Sequence, residues 1–128
     1  PLAEVGQMLV VPRTHPFAER SRLRLADLRG VALVVPPAGR PHRQRIDAAL
    51  RERAIEWEVA VEASGWALII RLCSLGVGLA IVNDLCHLPR DLVGVPLPEL
   101  GSITYHAVRR AGLTPSTGGA ALWELLVG

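Results

Sequence analysis

The 128 residues predict an α/β fold built on a mixed, mostly parallel sheet. Three observations point there. Strand-like runs alternate with helical segments in the order β, β, α, β, α, β, then β, β, α. Two of the runs, Val31–Val35 and Leu79–Val82, carry no polar side chain, the pattern of strands covered on both faces. Finally, the stretch Ser64–Asn83 (S-G-W-A-L-I-I-R-L-C-S-L-G-V-G-L-A-I-V-N) holds an apolar helix, a two-glycine break and a short apolar strand. That is half of a βαβ unit.

Each element has its own local reason. Met8–Val11 is an apolar run stopped by Pro12 and reads as the first strand. Thr14-His15-Pro16 reads as a turn, because the residue before proline is pushed out of the helical region. Leu23–Gly30 reads as a short helix or turn closed by Gly30, and Val31–Val35 as the second strand. Pro36-Pro37-Ala38-Gly39-Arg40-Pro41 forms a loop. A helix follows from His42 or Arg43 to about Ala54, with Ile46, Ala49, Leu50 and Ala54 on one face. Trp57–Glu62 alternates large apolar residues with glutamates or a small residue, which predicts a strand with one buried face.

Ser64 is the expected N-cap of the next helix, since its hydroxyl can accept from an orphan amide. From Trp66 to Leu75 only Arg71 is charged, so this helix is expected to be buried around most of its circumference. Gly76 supplies the left-handed residue that closes it, and Gly78 turns the chain into Leu79–Val82. After Pro89, Leu92–Leu97 and Ile103–Arg109 read as strands. Thr114 and Pro115 open a terminal helix, proline being tolerated at the first position, with Ala121, Leu122, Leu125 and Leu126 on its apolar side.

Half of the residues are apolar, and a chain this long buries about two-thirds of its unfolded surface. No uncharged run approaches the roughly 18 residues of a membrane span, so no membrane partner is expected. Pro1–Gln7 lacks the basic-then-apolar order of a signal peptide, and the chain reads as part of a longer protein. Cys73 and Cys86 form no C-x-x-C pair and have no histidine at metal-ligand spacing. They read as reduced thiols in a cytoplasmic protein.

All fourteen basic residues are Arg, ten of them between Arg13 and Arg53. A basic stretch suits nucleic acid, yet there is no helix-turn-helix pattern, zinc-finger spacing or aromatic platform. A solvated surface is the reading adopted. Catalysis finds no support either: no Ser lies in a G-x-S-x-G elbow, no carboxylate and histidine set has metal spacing, and the glycines follow a helix where a phosphate loop would precede one. No catalytic residue, metal or cofactor is expected.

Four segments resemble the effector-binding region of LysR-type transcriptional regulators. Leu9-Val10-Val11-Pro12-Arg13-Thr14-His15-Pro16-Phe17-Ala18 resembles the family's strand and His-Pro turn. Leu25-Ala26-Asp27-Leu28-Arg29-Gly30 resembles its Leu-x-Asp-Leu-x-Gly step, and Leu72–Val82 its Gly-x-Gly turn into a strand. Val108-Arg109-Arg110 with the helix to Leu126 resembles the end of its regulatory domain. Their order over Leu2–Leu126 carries the resemblance.

The resemblance implies a type II periplasmic-binding-protein-like fold, with one complete subdomain and part of the other. Residues 1–88 would hold subdomain II with its incoming crossover strand. Residues 89–128 would supply return strands and the last helix of subdomain I. It implies a small-molecule effector in an interdomain cleft, a homo-oligomer (dimer or tetramer), and DNA contact only through an N-terminal domain that this sequence does not contain. A solute-binding component of a transport system with the same fold is the alternative, and a small α/β enzyme a third reading.

In such folds ligands lie at the carboxyl ends of strands. The first candidate is the loop Pro36 to His42, with Pro36, Pro37, Gly39 and Arg40 as its site residues, whose following helix start suits an anion. Arg40 and Arg43 read equally as ligand-facing charges or as solvated helix-start residues. The second candidate is Asn83 and Asp84. The family usually has proline where Asn83 stands, so its amide either bonds an effector or caps the turn to Leu85. Ser64 is the third, with plain capping as its competing role. Trp57, Trp66 and Trp123 read as packing residues.

Overall fold

The computed structural model describes residues 2–112, 114 and 116–127. Its strands are β1 (Ala3–Val5), β2 (Gln7–Pro12), β3 (Ala32–Val35), β4 (Glu58–Glu62), β5 (Ala80–Asn83), β6 (Leu92–Pro96) and β7 (Ile103–Tyr105). Its α-helices are α1 (Pro41–Glu52), α2 (Trp66–Ser74) and α3 (Thr117–Val127). Two compact units result: Gly6–Ser102, and the residues up to Val5 together with those from Ile103 onward.

In the larger unit β2 pairs with both β5 and β6, and β3 pairs with β4. One bridge, Leu33–Leu79, links the two groups, giving the strand order β4-β3-β5-β2-β6. The sheet is mixed, as expected, but it is not mostly parallel. Parallel pairing is confined to β3–β4 and the Leu33–Leu79 bridge, while β2 runs antiparallel to both neighbours. An apolar run records that both faces are covered and says nothing about strand direction. Because β6 pairs with β2, the larger unit continues past Leu88 to Ser102.

Alternation along the strands divides the core into two layers. Leu9 and Val11 of β2, Leu33 and Val35 of β3 and Ile81 of β5 pack with Ile46 and Leu50 of α1. Met8, Val10, Val34, Ala80 and Val82 point the other way and pack with Ile69, Ile70 and Cys73 of α2. This period-two division leaves the middles of β2, β3 and β5 apolar on both faces, with the buried polar pair Gln7 and Asn83 at the ends of β2 and β5. Burying Ile46 or Leu50 contributes roughly 1.5–3 kcal/mol each as an upper value.

Two burial expectations need correction. α2 is covered on one side only: Ile69, Ile70 and Cys73 are buried, whereas Leu68 is 50% and Leu75 62% exposed. Its apolar circumference therefore exceeds what one sheet face can cover. β4 was expected to bury one face, yet Val59 is 44% exposed. β4 ends the strand order and has a single neighbour, with a register irregularity at Leu33/Val34.

The glycine break forms as expected. Gly76 has φ 80°, its amide donates to the Cys73 carbonyl, and Val77 N–H reaches back to the Leu72 carbonyl. This is the paired-bond closure of a helix by a left-handed residue. At Gly78 a Cβ would lie 3.0 Å from both the Ala32 carbonyl oxygen and the Ala60 Cβ. Only a residue without a side chain lets the α2–β5 turn lie this close to β3 and β4.

In the smaller unit β1, which the sequence reading left out, pairs antiparallel with β7. β7 stops at Tyr105, short of the expected Arg109. α3 begins at Thr117, where Ser116 Oγ accepts from Gly119 N–H at 3.1 Å. Ser116, three residues before Gly119, thus takes the capping place expected of Thr114; Pro115 lies outside the described residues. The Arg109 guanidinium stands 4.5 Å over the Trp123 ring.

Candidate functional site

β3 and β4 are parallel neighbours, so their carboxyl ends emerge side by side. Each leads into a helix: β3 through the 36–40 loop into α1, β4 through 63–65 into α2. The two helix starts border an open pocket of about 310 Å³. Pro36, Pro37 and Arg40 line it from the loop, Pro41 and His42 from α1, and Ser64, Gly65 and Trp66 from the start of α2, with Ile69 completing the wall.

The helix starts are not self-capped. Arg40 is the N-cap of α1 and Gly65 that of α2, and neither position makes a side-chain cap bond. Gly65, with φ 90°, takes the place expected of Ser64, which leaves the Ser64 hydroxyl on the pocket wall. Pro41 has no N–H to satisfy. The amides of His42, Arg43, Trp66, Ala67 and Leu68 have no intrahelical partner by position, which suits them to an anion.

Two of the arginines divide their work. Arg43 is committed within the protein: it donates to Asp47 at 3.1 Å, to Glu62 at 3.2 Å and to the Pro36 carbonyl at 3.0 Å. It also lies 5.6 Å over the Trp57 ring. Its role is to bind the strand ends to α1. Arg40 is exposed and makes no ion pair or side-chain hydrogen bond among the described residues, so its charge is available at the rim.

His42, the last residue of the candidate loop but not singled out there as a site residue, joins three elements. It stands on α1, its Nε2 meets the Ile81 carbonyl of β5 at 2.7 Å, and its ring meets Trp66 edge-to-face at 4.8 Å and 88°. Burial lowers its pKa; the Ile81 hydrogen bond opposes that shift and the charge of Arg45 reinforces it. The signal for His42 was its place at a helix start after a strand-end loop, which spacing alone does not separate from a surface histidine.

The remaining candidates fall elsewhere. Gly39 has φ 93° and shapes the loop without lining the pocket. Asn83 is buried, its Oδ1 accepting from Gln7 Nε2 at 2.9 Å, opposite it in the β2–β5 register. Cys86 N–H donates to its carbonyl, so the backbone closes the turn beyond it. Asp84 accepts from Gly6 N–H at 3.1 Å and borders a separate pocket of about 300 Å³ with Gly6, Gln7 and Ser102. The 36–42 and 64–66 segments come together; Asn83 and Asp84 do not join them.

Burial pushes the Cys73 thiol up to about 11. Burial also raises Cys86, with the Asn83 backbone bond opposing and Asp84 adding to the shift. Both thiols are protonated near neutrality and are poor nucleophiles. Among the described residues no group of three or more His, Cys, Asp or Glu is placed to hold a metal ion, and no helix is long and apolar enough to cross a membrane.

Comparison with known proteins matches residues 1–128 to the family described as LysR substrate binding domain. The HTH-type transcriptional regulator TtuA of Agrobacterium vitis is 35% identical over 83 residues, covering 63% of this chain and 27% of that regulator. The chain thus spans little more than a quarter of that relative. The regulatory domain of CcmR from Synechocystis PCC6803, solved in complex with 2-PG, superposes with a TM-score of 0.77 at 16% identity, covering 98% of this chain and 63% of that one. The effector binding domain of QuiR, solved in complex with shikimate, gives a TM-score of 0.71 at 16% identity, covering 98% and 61%.

Proposed function

This chain belongs to the LysR substrate-binding domain family, and from that premise we propose that it is the effector-sensing part of a transcriptional regulator that holds a small anionic molecule. One observation carries the proposal. The ends of β3 and β4 and the starts of α1 and α2 surround a single pocket, with Arg40 uncommitted at its rim. Backbone amides and a guanidinium facing one volume suit a carboxylate or phosphate. Pro36, Pro37, Trp66 and Ile69 supply the less polar walls.

In this reading the larger unit is the second of the sensor's two subdomains, and the smaller unit belongs to the first. Effector binding shifts the population of regulator states by its differential affinity for them. DNA contact belongs to a helix-turn-helix domain, and the regulator acts in the cytoplasm. It works as a homo-oligomer, for which the exposed Leu68 of α2 and Leu75 just past its end offer an apolar surface.

The relatives favour the regulator over a transport component. The enzyme reading would need Ser64 as nucleophile and His42 as its base. No hydrogen bond joins those two residues, and His42 Nε2 is already committed to Ile81. The test is a thermal-shift and calorimetric survey of small carboxylates and phosphate esters, on wild type and on Arg40→Ala. Saturable stabilisation by an anion, weakened at least fivefold in the variant, is the supporting outcome. Binding unchanged by Arg40→Ala would remove this pocket from the proposal.

A further inference from the structure

We propose that His42 is a specificity-determining residue, selecting effectors that carry a hydroxyl group beside their anionic group. This rests on the effector-binding reading of the pocket and adds to it the kind of molecule the pocket prefers.

The argument starts from the tautomer. His42 Nε2 lies 2.7 Å from the Ile81 carbonyl oxygen. A carbonyl oxygen only accepts, so Nε2 carries the proton. In a neutral imidazole the other nitrogen is then a bare acceptor. Burial favours the neutral ring, since it lowers the pKa, the Ile81 bond opposing and Arg45 adding to the effect. The tautomer is thus set by the backbone of β5, independently of any ligand.

Geometry holds the ring in place. Trp66 meets it edge-to-face at 4.8 Å and 88°, and both side chains line the pocket. Nδ1 has no hydrogen-bond partner among the described residues. It is also not among the polar atoms shut away from solvent without a partner, which are Gln7 Oε1 and Arg45 Nη1. Because His42 lines the pocket, this solvent-reachable nitrogen serves in the proposal as the fixed acceptor that a bound molecule meets with a donor.

The charge around it decides which donor. Arg40 lines the pocket without an ion pair among the described residues, and Arg45 stands on the same helix as His42, while the charge of Arg43 is met by Asp47 and Glu62. An ammonium donor would be repelled by Arg40 and Arg45, whereas a hydroxyl carries no such penalty. Ser64 can donate or accept and so does not discriminate. A molecule with an anionic end and an adjacent hydroxyl satisfies both the helix starts and Nδ1.

The test uses three matched acid pairs: lactate and propionate, mandelate and phenylacetate, 3-phenyllactate and 3-phenylpropionate. Each is titrated calorimetrically into the wild-type chain, His42→Phe and His42→Gln. Phe keeps a ring against Trp66 and removes both nitrogens. Gln keeps an N–H for the Ile81 carbonyl and an oxygen acceptor for the ligand. The wild type is expected to bind the hydroxy acids about threefold to tenfold more tightly than their partners, the range of one neutral hydrogen bond. The preference should vanish in His42→Phe and return in His42→Gln. In the wild type, the Nδ1 nitrogen resonance should move with a hydroxy acid and stay still with its partner.

Equal binding within each pair by the wild type would overturn the inference and leave the pocket's anion binding standing. A preference that survives in His42→Phe would overturn it too. Failure of all six acids to bind would remove the effector-binding reading of the pocket, and this inference with it.

Discussion

The Arg43 guanidinium donates to the Pro36 carbonyl at 3.0 Å, tying the first turn of α1 to the loop that leaves β3. The same group reaches Glu62 at the end of β4. One side chain therefore fixes the spacing of the two strand ends that border the pocket. Its fork geometry allows bonds in several directions at once, which a lysine cannot reproduce.

Replacing this group should destabilise the fold. Arg43→Lys is expected to cost about 1 kcal/mol and Arg43→Ala about 1–2 kcal/mol, in line with several partly buried charge-assisted bonds discounted for the exposure of Glu62. Urea denaturation followed by circular dichroism checks both values. A loss below about 0.5 kcal/mol in Arg43→Ala would assign the side chain to the solvated surface.

Arg40 should behave in the opposite way. It is exposed and uncommitted, so Arg40→Ala should leave stability within about 0.5 kcal/mol of wild type. Anion affinity should fall at least fivefold in the same variant. Denaturation and calorimetry on one preparation separate the two effects, and a large stability loss would show that Arg40 is structural.

Gly78 has no room for a side chain. A Cβ would sit 3.0 Å from the Ala32 carbonyl oxygen and from the Ala60 Cβ, neither of which can give way cheaply. Gly78→Val is expected to lose about 1–3 kcal/mol, the usual penalty of overpacking. A fully stable Gly78→Val protein would mean that the α2–β5 turn lies farther from β3 and β4.

Stability should also respond to pH through His42. Its folded pKa lies below the unfolded value near 6.5, because of burial. Both states are neutral above that value, so the residue contributes nothing there. As the pH falls below about 6.5, the unfolded chain takes up the proton first, and folding stability declines. Wild type should therefore lose more melting temperature between pH 7.5 and 5.5 than His42→Gln does. Equal losses would mean that His42 titrates alike in both states.

Much of this was legible in the sequence. Runs without polar residues marked β3 and β5, because two covered faces leave no position for a polar side chain. Gly76 marked the end of α2, because a left-handed residue is needed there. The loop Pro36–Arg40 was legible as a strand-to-helix connection, and Ile46 with Leu50 as the buried face of α1.

Other features depend on partners distant in sequence. The antiparallel direction of β2 is set by where β5 and β6 return, 70 and more residues later. Leu68 and Leu75 look like core until one counts the single sheet face available to α2. Asn83 read as either an effector contact or a turn cap, and its side-chain partner Gln7, opposite it in the register, lies 76 positions away. His42 gains its importance from Ile81 and Trp66, neither of which its local spacing reveals.

The most direct measurement is a nitrogen-15 NMR titration of the labelled chain with the tightest-binding small carboxylate from the survey. The expected result is a cluster of amide shifts at His42, Arg43, Trp66, Ala67 and Leu68, saturating with one affinity and weakened in Arg40→Ala. Shifts centred on Asn83 and Asp84, with the starts of α1 and α2 unmoved, would contradict the assignment of the anion site.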